Sequence, residues 1–398
     1  MRPNATIAAL LAAFCSTPAW ATPAFDECAV NAAIRYEAGF EQSTLETLDN
    51  SAYAAIEPCR AALDEDPQSA QLQTWLGAAY LASGDFEQGV PLIEAAATAG
   101  NARAMQVLGD ALVLGEGVTA DPKRGTAMLQ AAADAGFAPA MLGLGYSYEF
   151  GDGVAADLTA AFKWYAMAAE LGMPRAAFLT GNAYASGRGV GQDDAGALHW
   201  WLSAADAGLA AAQYAAGQFV LEGRGGPADP AKAGELFGRA AEQNHRDAIV
   251  ALAFMRDQGL GVEADSELAA SDFEQAIQQQ SAVAAFDLAL MYEVGHGVPR
   301  DAIRAQELYI EAASGGEMRA ANNLALLMLN NGFDPTGAFE WMEKAAKAGN
   351  AAAMNNLGRM YELGLGIAAD PAAALSWYEG SSSAGYALGA SNLSRLRG

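Results

Sequence analysis

The chain is predicted to be an all-α solenoid of stacked helix-turn-helix repeats, and three observations carry that expectation. The string L-G-E-G-V-T-A-D from Leu114 to Asp121 recurs almost to the C-terminus. Gly115-x-Gly117-Val118 returns at Gly151, Gly187, Gly223, Gly259, Gly295 and Gly364, with the first glycines 36 residues apart until a last step of 69. Between these loops, small and apolar residues recur every three to four positions, which places them on one face of a helix. A fixed period in this range marks stacked supersecondary units, so 398 residues are read as one elongated array rather than as separate domains.

At the N-terminus, Arg2, the apolar segment Ala5–Phe14 and Ala19-Trp20-Ala21 read as a secretory signal over residues 1–21. Acylation of Cys15 fits less well, because Phe14 stands where that processing wants a small residue. A membrane anchor needs about 20 apolar residues and the segment is shorter. Residues 22–66 read as a helical hairpin that caps the array. Phe25, Val30, Ile34 and Tyr36 lie on one element, and Tyr53, Ile56, Cys59 and Leu63 on the other. Two cysteines follow the signal, Cys28 and Cys59, and an even count in an oxidising compartment argues for a disulfide, with a free buried pair as the alternative. Their midpoint falls in the polar stretch Glu41–Asn50, the expected turn.

Residues 67–100 contain Trp75-Leu76-Gly77-Ala78-Ala79-Tyr80 followed by Gly84-Asp85-Phe86, which resembles a tetratricopeptide unit. Units of 36 residues then begin at Asn101, Phe137, Met173, Leu209, His245 and Ser281, a 33-residue unit at Glu317, and the last at Asn350. Their fourth residue is always alanine, from Ala104 to Ala353. Their ninth is Gly109, Gly145, Gly181, Gly217, Ala253, Ala289, Ala325 or Gly358. Asp121-Pro122, Asp229-Pro230, Asp334-Pro335 and Asp370-Pro371 fit an N-cap followed by proline at the first helical position. A bulky residue recurs in each second helix: Leu129, Tyr165, Trp201, Phe237, Phe273, Tyr309, Met342 and Tyr378. Each is expected to pack under the small-residue face of the next unit.

The pattern A-x3-L-G-x2-Y-x2-G-x-G-V-x2-D followed by A-x2-W-[YW]-x2-A-A-x2-G resembles the Sel1-like repeat, a relative of the tetratricopeptide repeat with a longer inter-helix loop. It is clearest over Ala140–Gly172 and Ala176–Gly208, and gives eight repeats over residues 101–385, with 386–398 as a closing helix. Gly226 in place of valine, Gln278-Gln279-Gln280, and the missing glycine loop after Glu317 depart from it. The resemblance implies a right-handed superhelical solenoid whose concave wall is built from the first helix of each repeat.

A net charge of −25 without a basic run excludes nucleic acid as a partner, since phosphates must be neutralised by clustered Lys and Arg. Three histidines, His199, His245 and His296, fall in three different units at separations that fit no metal or catalytic spacing. The glycine loops recur in every unit and end helices, unlike a phosphate cradle. No catalytic residue, cofactor or metal site is therefore expected. Function is placed in the groove, at the third, sixth, tenth and thirteenth residues of each unit. The candidates are Tyr146, Phe178, Tyr214, Phe254 and Phe286 as aromatic anchors, with Arg103, Arg175 and Arg319 to meet peptide carboxylates. If that register is off by one, the aromatics fill the inter-helix core instead. The reading is a monomeric, non-catalytic adaptor or scaffold, periplasmic or secreted from a bacterium, with no membrane span once the signal is removed. It would bind a protein or extended peptide of unknown identity. The alternative is an exported enzyme or enzyme-associated module acting on cell wall or β-lactams, an activity associated with some cysteine-rich exported members of the family; against it, those members carry a disulfide in each repeat and every repeat here lacks cysteine.

Overall fold

Loop glycines and capping aspartates decide where each helix stops and starts. The computed structural model describes residues 22–34, 36–37, 52–332 and 334–397. Among these there are 21 helices and no strand. The cap contributes α1 (Pro23–Ala32) and α2 (Ala52–Glu65), and the tetratricopeptide-like unit α3 (Ala70–Ala82) and α4 (Phe86–Thr98). Eight pairs follow, each a helix A and a helix B. They are α5 (Ala102–Leu114) with α6 (Pro122–Asp134), α7 (Ala138–Phe150) with α8 (Leu158–Glu170), and α9 (Pro174–Ser186) with α10 (Asp194–Asp206). Next come α11 (Ala210–Glu222) with α12 (Pro230–Glu242), α13 (Arg246–Gln258) with α14 (Ser266–Gln278), and α15 (Ala282–Val294) with α16 (Ala302–Ser314). The last are α17 (Met318–Asn331) with α18 (Pro335–Lys347) and α19 (Ala351–Leu363) with α20 (Pro371–Ser383), closed by α21 (Ala387–Arg397). The chain forms two units, residues 1–204 and 205–398. Within each, helices pack mainly on their neighbours in sequence, as repeat architectures do.

Each helix A ends on a left-handed glycine, from Gly115 at φ 76° to Gly364 at φ 68°, a conformation that a Cβ resists. Gly332 supplies the same stop in the repeat that lacks the G-x-G loop. Each helix B starts under an aspartate whose carboxylate accepts one or two backbone N–H groups, as with Asp121, Asp229, Asp301 and Asp370. Such caps contribute about 1 kcal/mol each. The second loop glycine has a further duty. A Cβ on Gly153 would overlap the carbonyl of Pro122, and one on Gly189, Gly297 or Gly366 would overlap Leu158, Ser266 or Pro335. These are the first residues of the preceding helix B, so this glycine sets the contact between consecutive repeats.

The bulky residue of helix B does not wait for the next repeat. Tyr165, Trp201, Phe237 and Tyr378 lie directly on Gly145, Gly181, Gly217 and Gly358 of their own repeat. A Cβ on Gly181 would stand 2.6 Å from Trp201 Cδ1. The expectation of packing under the following unit is corrected accordingly for these four, because the small ninth residue leaves room for a ring inside the pair itself, whereas Leu129 meets both Gly109 of its own repeat and Gly143 of the next. The three tyrosines among the bulky helix-B residues are also tethered. The hydroxyls of Tyr165, Tyr309 and Tyr378 donate to Glu149, Glu293 and Glu362 at 2.7, 2.5 and 2.7 Å, each from helix B to the end of its own helix A. Burial, and then the adjacent carboxylate, push all three phenols up.

In the cap, Cys28 and Cys59 are joined by a disulfide with both residues fully buried. Beside it, Glu37 accepts from Ile34 N (3.1 Å), Trp75 Nε1 (2.7 Å), Gln71 and Arg103. Val30 and Tyr53, each on the element expected of it, are exposed, with Tyr53 at 74%, whereas Ile34 and Tyr36 lie beyond the end of α1. Residues 1–21, expected to be a signal, and Glu41–Asn50, the expected turn, lie outside the described residues.

Candidate functional site

Helix A presents one edge to helix B and another to solvent, and the register sorts the candidate residues between the two. None of the sixth positions is exposed: Leu142, Phe286, Asn322 and Asn355 are buried, and Gln106, Phe178, Tyr214 and Val250 half-buried. Tenth positions are more open, with Gln218, Phe254, Leu326 and Arg359 exposed and Asp110, Tyr146, Asn182 and Leu290 half-buried. The aromatic candidates therefore divide by position.

In the first unit, Tyr146 stacks on Phe150 with centroids 6.3 Å apart and meets Tyr165 edge-on at 5.5 Å. Its hydroxyl accepts from Nε of the exposed Arg175 at 2.8 Å, a bond between adjacent helices A. Arg175 makes no ion pair among the described residues and is open to a carboxylate. Phe178 lies half-buried one turn further along the same helix. Arg103 cannot serve as a groove contact. It is 5% exposed, paired with Glu37, and donates to Ala32 O at 2.7 Å. Burial pulls its guanidinium down, and Glu37 opposes that.

In the second unit, Tyr214 packs on Phe237 (5.8 Å) and on the ring of His245 (5.0 Å), and Gln218 Nε2 donates to its hydroxyl at 2.8 Å. Phe254 is 50% exposed. Phe286 is 6% exposed, 6.1 Å from Tyr309, and covered by the Arg319 guanidinium at 4.5 Å, so it is core rather than anchor. Arg319 is itself forked onto Glu317, Nε to Oε1 and Nη2 to Oε2 both at 2.9 Å. The sequence reading missed an asparagine chain at the C-terminal end. Asn356 donates to Asn322 at 3.0 Å and Asn392 to Asn355 at 2.8 Å, linking α17, α19 and α21. Asparagine at the sixth and seventh positions of two successive repeats was the available signal.

The histidines do not converge. His199 lies against Trp200, His245 caps α13 by accepting from Ala248 N, and His296 reaches Asp257 and Ser266. Among the described residues no group of three or more His, Cys, Asp or Glu side chains could hold a metal ion. The larger cleft, of about 810 Å³, is an open hollow between Tyr148 and Gly189 whose one carboxylate, Asp157, is already used as a helix cap. A second, of about 100 Å³, lies between Glu149 and Arg188. No helix among the described residues is long and apolar enough to cross a membrane.

Helix pairs that repeat with one stop, one start and one internal contact define a helical-repeat protein. The Sel1 repeat model matches eight consecutive segments, at 102–137, 138–173, 174–209, 210–245, 246–281, 282–317, 319–350 and 351–386. The chain belongs to the Sel1 repeat family. It is similar to the crystal structure of a Sel1 repeat protein from Oxalobacter formigenes, with 32% identity, a TM-score of 0.62, and coverage of 81% of this chain and 94% of that one. It also shares its fold with c5321, a protective antigen present in uropathogenic Escherichia coli strains. That match has 24% identity, a TM-score of 0.58 and coverage of 86% and 90%. No curated protein sequence matches the chain. Sel1 repeat proteins are generally protein-interaction scaffolds and typically non-enzymatic.

Proposed function

We propose that this protein is an exported, non-catalytic scaffold that binds another protein or an extended peptide on the outward faces of its helices A. One observation carries the reading: large aromatic side chains stand at positions that internal packing does not require. Phe254 is half exposed, and Tyr146 is half-buried, held by Phe150, Tyr165 and Arg175. Rigid aromatic anchors inside a polar rim dominate the energetics of protein interfaces. The buried Cys28–Cys59 disulfide supports an oxidising compartment, periplasmic or extracellular.

The test is affinity capture from an envelope extract with the chain from Thr22 onward, alongside its Tyr146→Ala and Phe254→Ala variants. The reading requires a partner that the wild type retains and a variant loses without a change in melting temperature. Equal recovery by all three proteins would overturn it. Turnover of a chromogenic β-lactam or of peptidoglycan by the purified chain would replace it with the enzymatic alternative.

A further inference from the structure

The second unit offers the opposite charge to the one expected of its groove. Arg319, the third-position arginine expected there to meet a peptide carboxylate, is occupied by Glu317 and Phe286, and the next exposed arginine along the chain on a helix A is Arg359 on α19, beyond α13, α15 and α17. Two partly buried carboxylates stand on these helices instead, Asp287 and Asp257. Asp287, beside Phe286 on α15, makes no hydrogen bond or ion pair among the described residues. Burial raises its carboxyl to about 6, with Arg319 opposing this and the negative Glu317 and Asp257 adding to it. Asp257, near the end of α13, receives Gln258 Nε2 on one oxygen at 2.7 Å. Its other oxygen, Oδ1, is buried without a hydrogen-bond partner. That atom is approached by His296 Nε2 at 2.8 Å, a contact that is ionic only when the ring is protonated, and the same nitrogen lies 2.9 Å from Ser266 Oγ.

An apolar stripe runs beside these groups. Phe254, Leu290 and Leu326 hold the tenth position of three successive repeats, hence the same edge of α13, α15 and α17. Phe254 and Leu326 are exposed and Leu290 half-buried. A half-desolvated carboxylate gains more from a cation than a fully hydrated one does, because the charge-assisted hydrogen bond replaces water it has already lost. The net charge of −25 steers encounters in the same direction.

We infer that the face formed by α13, α15 and α17 takes an extended segment of a partner in which a lysine or arginine lies between apolar side chains. The cation meets Asp257 and Asp287, and the apolar neighbours lie on Phe254, Leu290 and Leu326. The inference rests on the scaffold reading and adds to it the charge class of the partner.

Three labelled peptides of about ten residues, enough at about 3.3 Å per residue to cross three helices packed about 10 Å apart, provide the test. They share alternating leucine and threonine and differ in a central pair of lysines, glutamates or glutamines. Fluorescence anisotropy at near-physiological salt should show the lysine peptide binding at least about tenfold tighter than the other two. The double variant Asp257→Asn/Asp287→Asn should abolish that preference. The charge-matched control Glu263→Gln/Glu274→Gln, at exposed sites on a loop and a helix B, should keep it. Asp287→Asn alone replaces the double variant if the latter does not fold. Equal binding of all three peptides, binding of none, or equal loss of preference in both double variants overturns the inference. Capture of the partner by Phe254→Ala then separates the two failures: a partner still lost by that variant leaves the scaffold reading standing without its charge class, and a partner retained removes both.

Discussion

The inner edge and the outer edge of helix A belong to the same helix, yet one repeats itself and the other does not. On the inner edge, a small ninth residue meets a bulky helix-B residue of the same pair in repeat after repeat, at Gly145 and Tyr165, Gly181 and Trp201, Gly217 and Phe237. On the outer edge, the tenth position runs from Asp110 through Tyr146, Gln218 and Phe254 to Arg359. A contact against a fixed neighbour admits few side chains, whereas a face turned to solvent admits many. Variation among repeats of one chain therefore shows where internal packing stops deciding the residue.

The sharpest way to break this contrast is to cut one aromatic from each edge. Tyr309 is fully buried and tied to Glu293, so Tyr309→Ala should cost about 3–5 kcal/mol in urea unfolding. Phe254→Ala, on the open edge, should cost no more than about 0.5–1 kcal/mol. Similar losses for both would erase the distinction between the edges.

Arg103 extends the contrast to charge. It shares the third position with Arg175, but it is buried against Glu37 whereas Arg175 is exposed. Arg103→Met leaves a buried carboxylate without its cation and should cost about 3–5 kcal/mol. Adding Glu37→Gln should return part of that loss, and Arg175→Met alone should change stability little. A double variant no more stable than Arg103→Met would contradict the pairing. Next in size, replacing Cys28 and Cys59 by alanine should lower the stability of the first unit by about 3–4 kcal/mol, from the 31-residue loop the bond closes. Dithiothreitol should mimic the change in the wild type only.

Asp287→Asn should act in the opposite direction. Because the folded chain holds that proton up to about 6 rather than 3.8, it binds protons more tightly than the unfolded chain. Wild-type stability therefore falls as pH rises from about 4 to about 6 and levels off above. The asparagine variant lacks this loss. It should be more stable than wild type by about 1–2 kcal/mol at pH 7, allowing for partial solvent screening, and should match it below about pH 4. Glu317, held low by its bonds to Arg319, contributes with the opposite sign in both chains.

Much of this architecture is legible in the sequence because it is local. The period, the left-handed stops at Gly115 to Gly364 and the Asp caps all depend on residues within one turn of where they act. Contacts between elements were harder to read. The second loop glycine looks like a turn residue, and only the approach of Pro122 to Gly153 shows that it sets repeat spacing. The tyrosine tethers left a trace that could have been used: tyrosine occupies the bulky helix-B position only where glutamate stands 16 residues earlier, at 149 and 165, 293 and 309, and 362 and 378. The burial of Arg103 left none, since Glu37 lies 66 residues upstream in a cap without periodicity. Phe286 and Phe254 read alike as groove aromatics, and what divides them is one turn of helix, the sixth position leaning inward and the tenth outward.

Phe254→Ala tests the central claim most directly when melting temperature and partner capture are measured on the same preparation. The account predicts an unchanged melting temperature with the partner lost. A melting temperature that drops as far as in Tyr309→Ala, or a partner still bound at wild-type affinity, would contradict it.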